Sequence, residues 1–404
     1  MLLGGALLLF LFAQADHAAE GRKALEANQF AQAAEHYQKA IGADPKDWTS
    51  RFHLALSLSL LNKDPEAIAA YRQVLADQPG LYEAQLNLGI LLLRQKSAAE
   101  AEPLLASASE KKPKEYRPQF YLAEARAALG QSPSAESAFR AALAIQPQSA
   151  EAALGLGRLL AKSAQWDEAE KHYRLAAADP EFRRALLELA ASYEHAKLME
   201  KAVALYRLFP DDPAARERAG ALLLDGGNAG DAVPDLELAY RQSPTNANRL
   251  ALATAYLRTK QAAKALPLLQ QATQEEPNHL DLRLYYGRAL RDQRDFQNAA
   301  REFFRATQIK PDSKEAWNEL SAMLISLENY PQALAALDKA QSLGGGGENP
   351  GYYYFRAIVL DRMKEYKLAL PNYQKFLSLS QGNPDEEFKS RERIKVIQKI
   401  LNKR

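Results

Sequence analysis

The sequence predicts an all-α chain, a solenoid of stacked antiparallel helix pairs closed by a capping helix, and three observations lead there. First, an alanine recurs eleven times, at Ala33, Ala67, Ala101, Ala135, Ala169, Ala202, Ala232, Ala265, Ala299, Ala333 and Ala369, in steps of 34, 34, 34, 34, 33, 30, 33, 34, 34 and 36. Second, a bulky apolar residue stands four places after each, beginning Tyr37, Tyr71, Leu105 and Phe139, and most copies close on a proline such as Pro45, Pro79, Pro113 or Pro147. Third, a small residue precedes each alanine by twelve places, as in Gly21, Ala55, Gly89, Ala123 and Gly157. Apolar residues at helical spacing within a period near 34 describe a unit that buries its apolar face only by stacking on its neighbours.

Within one copy the pattern resolves into two helices. In the third, Glu83 to Gln95 reads as one helix and Ala98 to Glu110 as the next, with Lys96 and Ser97 between. Glycine inside a helix costs about 1 kcal/mol against alanine, so its recurrence asks for close approach of a facing helix. The bulky residue after each alanine is expected to fill the groove toward the neighbouring repeat. Proline ends the second helix and suits the start of the next.

This constellation resembles the tetratricopeptide repeat family over roughly residues 14 to 384. The resemblance implies a right-handed superhelix with a concave groove lined by the first helix of each repeat. The copies are expected at 14–47, 48–81, 82–115, 116–149, 150–182, 183–212, 213–245, 246–279, 280–313, 314–349 and 350–384. Three depart from the pattern. The sixth has Phe209 where a small residue is usual and Pro210 early, and the tenth has Ser321 and is followed by Gly344 to Gly347. The eleventh has Arg356 at a site normally apolar and Phe376 for a small residue. The short steps between Ala169 and Ala265 mark where the array should bend or loosen.

Before the array, Leu2 to Phe12 is nearly all apolar, and Ala13-Gln14-Ala15 has the small-x-small form of a signal cleavage site. Residues 1–15 therefore read as a signal peptide, which makes the protein exported, periplasmic or secreted. No Lys or Arg precedes Arg22, so the basic start of such a signal is missing, and a start codon further upstream would make the segment a membrane tether. About a dozen apolar residues fall short of the roughly 20 that span a bilayer as helix. Asp225-Gly226-Gly227-Asn228-Ala229-Gly230 reads as a loose turn, and the four glycines as a longer connection on one edge of the stack. Residues 385–404 read as a capping helix with an apolar stripe of Ile394, Ile397 and Leu401 among basic residues.

Composition narrows the function. Lys+Arg 52 against Asp+Glu 50 argues against a nucleic-acid partner, and the absence of cysteine excludes disulfides and thiolate chemistry. No phosphate loop, GxSxG elbow or HExxH occurs, and the six histidines show no paired metal spacing. With the repeats consuming the chain, no catalytic residue, cofactor or metal is expected. The expected role is a non-enzymatic scaffold that holds a protein or peptide segment, with membrane contact only through the amino-terminal segment. The family's groove positions carry over to Phe52, Leu56, Leu86, Ile90 and Phe120 as an apolar strip, some of which could instead pack against adjacent helices. Arg158 and Arg288, with Arg184 and Arg291, would favour acidic segments later in the array. The early sites lack the Lys and Asn of carboxylate-clamping co-chaperones.

Overall fold

The computed structural model describes residues 17–344 and 348–402. The expected signal segment and cleavage site at 1–15, and Gly345 to Gly347, lie outside the described residues. Contacts divide the chain into two compact units that meet between Ser192 and Tyr193. The first holds α1 (residues 17–26), α2 (Phe30–Ala43), α3 (Trp48–Leu60), α4 (Asp64–Asp77), α5 (Tyr82–Arg94), α6 (Ala98–Lys111), α7 (Tyr116–Ala128), α8 (Ser132–Ile145), α9 (Ala150–Lys162) and α10 (Trp166–Ala176). The boundary falls inside α11 (Ala185–His195). The second unit continues with α12 (Met199–Tyr206), α13 (Pro213–Asp225), α14 (Ala229–Gln242), α15 (Asn246–Arg258), α16 (Ala262–Glu275), α17 (Leu280–Asp292) and α18 (Phe296–Ile309). It ends with α19 (Lys314–Ser326), α20 (Tyr330–Ser342), α21 (Pro350–Arg362), α22 (Tyr366–Leu379) and α23 (Pro384–Asn402). No strand occurs among the described residues. In each unit odd-numbered helices pair with the even-numbered helix that follows, and each pair stacks on the next.

Where the small residue of a first helix is glycine, it receives the bulky side chain of its own partner helix. A β-carbon on Gly89 would lie 2.6 Å from Leu105, one on Gly157 2.9 Å from Tyr173, and one on Gly287 2.6 Å from Phe303. Leu105 and Phe303 are fully buried there, and Tyr71 and Phe139 at the same position of their repeats are fully buried too. The expected filling of the groove toward the neighbour is therefore secondary. It is seen where Phe139 also packs under Gly155 of the next first helix.

Each pair turns on one residue in the left-handed region. These residues run Asn28, Asn62, Lys96, Gly130, Ala164, Lys197, Gly227, Lys260, Arg294, Glu328 and Lys364. The residue after it returns its N–H to the helix, as in Lys63 to the Leu58 carbonyl at 2.9 Å and Ser97 to Leu92 at 2.8 Å, which caps the first helix. The supposed loose turn at Asp225–Gly230 has the same form, with Asn228 N–H on the Leu223 carbonyl at 2.8 Å and α14 already under way at Ala229. Its glycines are thus no looser than the lysines that turn other pairs.

Pro213 and Pro350 start the next helix as expected, whereas Pro45, Pro79, Pro277 and Pro311 stand between helices. Their carbonyls accept from a side chain six residues on: Gln85 Nε2 to Pro79 at 2.9 Å, Arg283 Nε to Pro277 at 2.9 Å, and Trp317 Nε1 to Pro311 at 2.9 Å. Arg51 does the same to Pro45.

The sixth copy is short because α12 has only 8 residues. Its junction to α14 is held by charge. Asp235, 3% exposed, accepts from Arg207 Nε at 2.8 Å and Arg216 Nη1 at 2.6 Å. The other irregular residues are likewise satisfied. Phe209 and Phe376 are buried, and Arg356 donates to Asp338 at 2.9 Å. At the end of the array α23 lays Ile397 against Leu360, Ala369 and Tyr373. One period after Ala357 it carries exposed Arg391, paired with Glu387 at 2.9 Å, where the other first helices carry a small residue.

Two outcomes follow from this packing. Gly287→Ala gains about 1 kcal/mol of helix propensity but crowds Phe303, so a net loss of roughly 1–2 kcal/mol in urea unfolding is expected. Gly42→Ala, in α2 with no atom within 4 Å of the new methyl, should instead gain about 0.5–1 kcal/mol. The opposite signs are the check. Asp235→Ala strands two arginines at the short repeat and should cost about 3–5 kcal/mol, read by the same unfolding measured by circular dichroism.

Candidate partner-binding face

Successive first helices touch within each unit, α3 to α5, α5 to α7 and α7 to α9 in the first, α13 to α15 and α15 to α17 in the second. They form a continuous face in each, and the side chains pointing from it are the candidate site. In the first unit Phe52 on α3 is half-buried, its ring edge-on to Tyr71 at 5.7 Å, and Leu56 one turn later is also half-buried. Phe120 on α7 is half-buried, stacked on Tyr116 at 5.5 Å and edge-on to Phe139 at 6.2 Å.

Between them the apolar strip is interrupted. Leu86 and Ile90 on α5 are 4% and 8% exposed, where α5 packs between α3 and α7. Their apolar surface is used in packing and offers a partner almost nothing, which corrects the expectation of an open strip through all five residues. Phe52, Leu56 and Phe120 retain accessible apolar surface, split into two patches.

The arginines of this face are also engaged internally. Arg158 on α9 grips Glu188 on α11 through Nε at 2.9 Å and Nη2 at 2.8 Å, and Tyr173 OH donates to the same carboxylate at 3.1 Å. Arg288 on α17 holds Glu319 on α19 at 2.8 Å and also Glu315, while Arg291 takes the other Glu319 oxygen at 2.8 Å. Each guanidinium is thus matched by carboxylates from the next first helix. The expectation that Arg158 and Arg288 present free charge to acidic segments is corrected by these pairs.

Polar groups that the sequence did not single out also lie here. Asn87 donates to Tyr71 OH at 3.1 Å, joining the second helix of one pair to the first helix of the next. Tyr82 OH donates to Glu115 at 2.6 Å, and Tyr116 OH meets Ser149 Oγ at 2.6 Å, in each case tying the start of one first helix to the cap of the next. Their offset of about one period was the available signal. Glu124, half-buried on α7, has its carboxyl pushed above the usual range by burial, with the Arg158 charge opposing the shift. Burial pushes His53 below its ordinary value where it stacks on Tyr37 at 5.3 Å. Among the described residues no three His, Asp or Glu gather as a metal site, and no helix is long and apolar enough to cross a membrane.

Comparison with known proteins places this geometry. One tetratricopeptide repeat family model matches residues 18–81, 154–209 and 250–316, and a second matches 65–127 and 126–177. No curated protein matches at a significant level. Among solved structures the chain is similar to MamA from Desulfovibrio magneticus RS-1, at 18% identity and a TM-score of 0.40 over 43% of this chain and 96% of that one. It is also similar to yeast Tom70, at 12% identity and a TM-score of 0.37 over 96% of each chain. The family matches together run over residues 18–209 and 250–316, well over half the chain, which belongs to the tetratricopeptide repeat family.

Proposed function

We propose that this protein is a non-enzymatic scaffold that holds a protein or peptide segment against the first-helix face of its amino-terminal unit. The observation that carries this is the retained apolar surface of Phe52, Leu56 and Phe120 on a face whose arginines and tyrosines are otherwise matched to internal partners. Such patches, rimmed by satisfied polar groups, are the usual form of a protein contact. A helical or extended segment inserting two apolar side chains two repeats apart would cover them. The repeats supply rigid spacing, and the partner's side chains supply the affinity.

Export is part of the same reading, supported by the apolar run from Leu2 to Phe12 and the Ala13-Gln14-Ala15 sequence. A second reading, a membrane-tethered assembly factor for an envelope or secretion complex, rests on the same run being retained.

Leu56→Glu with Phe120→Glu should abolish recovery of the partner in affinity capture from the source cells while helicity is kept. Undiminished capture by this folded variant rejects the apolar face. For the amino terminus, mass spectrometry of protein from the native host should find Asp16 first. An intact Met1, or protein that stays in membranes after a salt wash, would reject cleavage in favour of the tether.

A further inference from the structure

In the carboxy-terminal unit, α21 and the cap α23 enclose a cleft of about 440 Å³. Its apolar wall is Ile358 and the Tyr354 ring, and Arg362, Lys389 and Arg393 stand around it. The lining carboxylate, Asp361, is already matched. It accepts from Arg393 Nε at 2.5 Å and Nη2 at 2.8 Å, and from Tyr373 OH at 3.3 Å. Arg362 and Lys389 have no ion pair or hydrogen bond with any described residue. Glu386 stands near Tyr354, so three cations face two carboxylates. Ser390 also lines the cleft, 0% exposed, and its Oγ has no hydrogen-bond partner.

A buried hydroxyl without a partner costs about 1–3 kcal/mol, and the exposed, unmatched Arg362 and Lys389 leave the cleft with excess positive charge. One kind of occupant relieves both, an anion that accepts hydrogen bonds. The apolar wall selects further, since a bare phosphate would leave Ile358 and Tyr354 uncovered, whereas a glutamate side chain covers them with its methylenes.

We propose that this cleft binds an acidic peptide segment of a partner protein, with a side-chain carboxylate between Arg362 and Lys389 that accepts the Ser390 hydroxyl. This rests on the scaffold reading for the class of partner, but uses a face in the other unit. The probe is a dye-labelled hexaglutamate with an amidated carboxy terminus, titrated against the full chain by fluorescence anisotropy at low salt. Arg362→Glu with Lys389→Glu should weaken binding by about tenfold or more. The charge-matched control on the same helix, Lys395→Glu with Lys399→Glu, should weaken it by less than about twofold. Ser390→Ala, which removes only the unpartnered hydroxyl, should weaken binding by about threefold to tenfold without lowering the melting temperature. Equal weakening by both double variants, no binding by the wild type, or binding only when the peptide's terminal carboxyl is free would each overturn the proposal. Leu56→Glu with Phe120→Glu should leave hexaglutamate binding unchanged, so the two faces succeed or fail separately.

Discussion

Much of this molecule depends on one contact repeated along the chain: a large side chain from the second helix of a pair seated on a glycine, alanine or serine of the first. With a β-carbon on Gly89 only 2.6 Å from Leu105, the two helix axes can be no closer without losing the side chain and no further apart without opening a void. Close packing makes both errors costly. The contact fixes the separation within each pair, and therefore where the first-helix face presents Phe52, Leu56 and Phe120. The glycine that weakens an isolated helix is thus a condition for the pair.

Polar groups decide how one pair meets the next. Proline carbonyls that cannot belong to a helix are accepted into bonds from Gln85, Arg283 and Trp317, so the links between pairs carry few unsatisfied groups. Where the repeat is shortened at α12, Asp235 between Arg207 and Arg216 ties the junction together. A carboxylate between two arginines recurs in a full-length repeat, where Glu302 accepts from Arg283 and Arg305.

The helix pairs were legible in the sequence because spacing alone forces them: a 34-residue period with alanine and aromatic at fixed offsets admits few other packings. The turn at Lys96 and Ser97 was legible in position but not in conformation, since Lys96, Ala164 and Glu328 adopt a left-handed backbone that their residue types disfavour, and tertiary packing overrides that preference. The site was only half legible. A position rule places Leu86 and Phe120 alike, and α5 and α7 each have a first helix on both sides, yet Leu86 is buried and Phe120 only half-buried. The Arg158–Glu188 pair shows the same limit, since it joins residues 30 apart across a repeat of unequal length.

The cap has a consequence for how long such a chain can grow. Every pair ends in a surface that fits another pair, so an uncapped stack would recruit a second molecule end to end and polymerise. At α23 the position that would seat the next large side chain is Arg391, charged, exposed and tied to Glu387. A docking helix would have to bury that pair without compensation. A repeat added after α23 by engineering would therefore require a small residue at position 391 before it could dock.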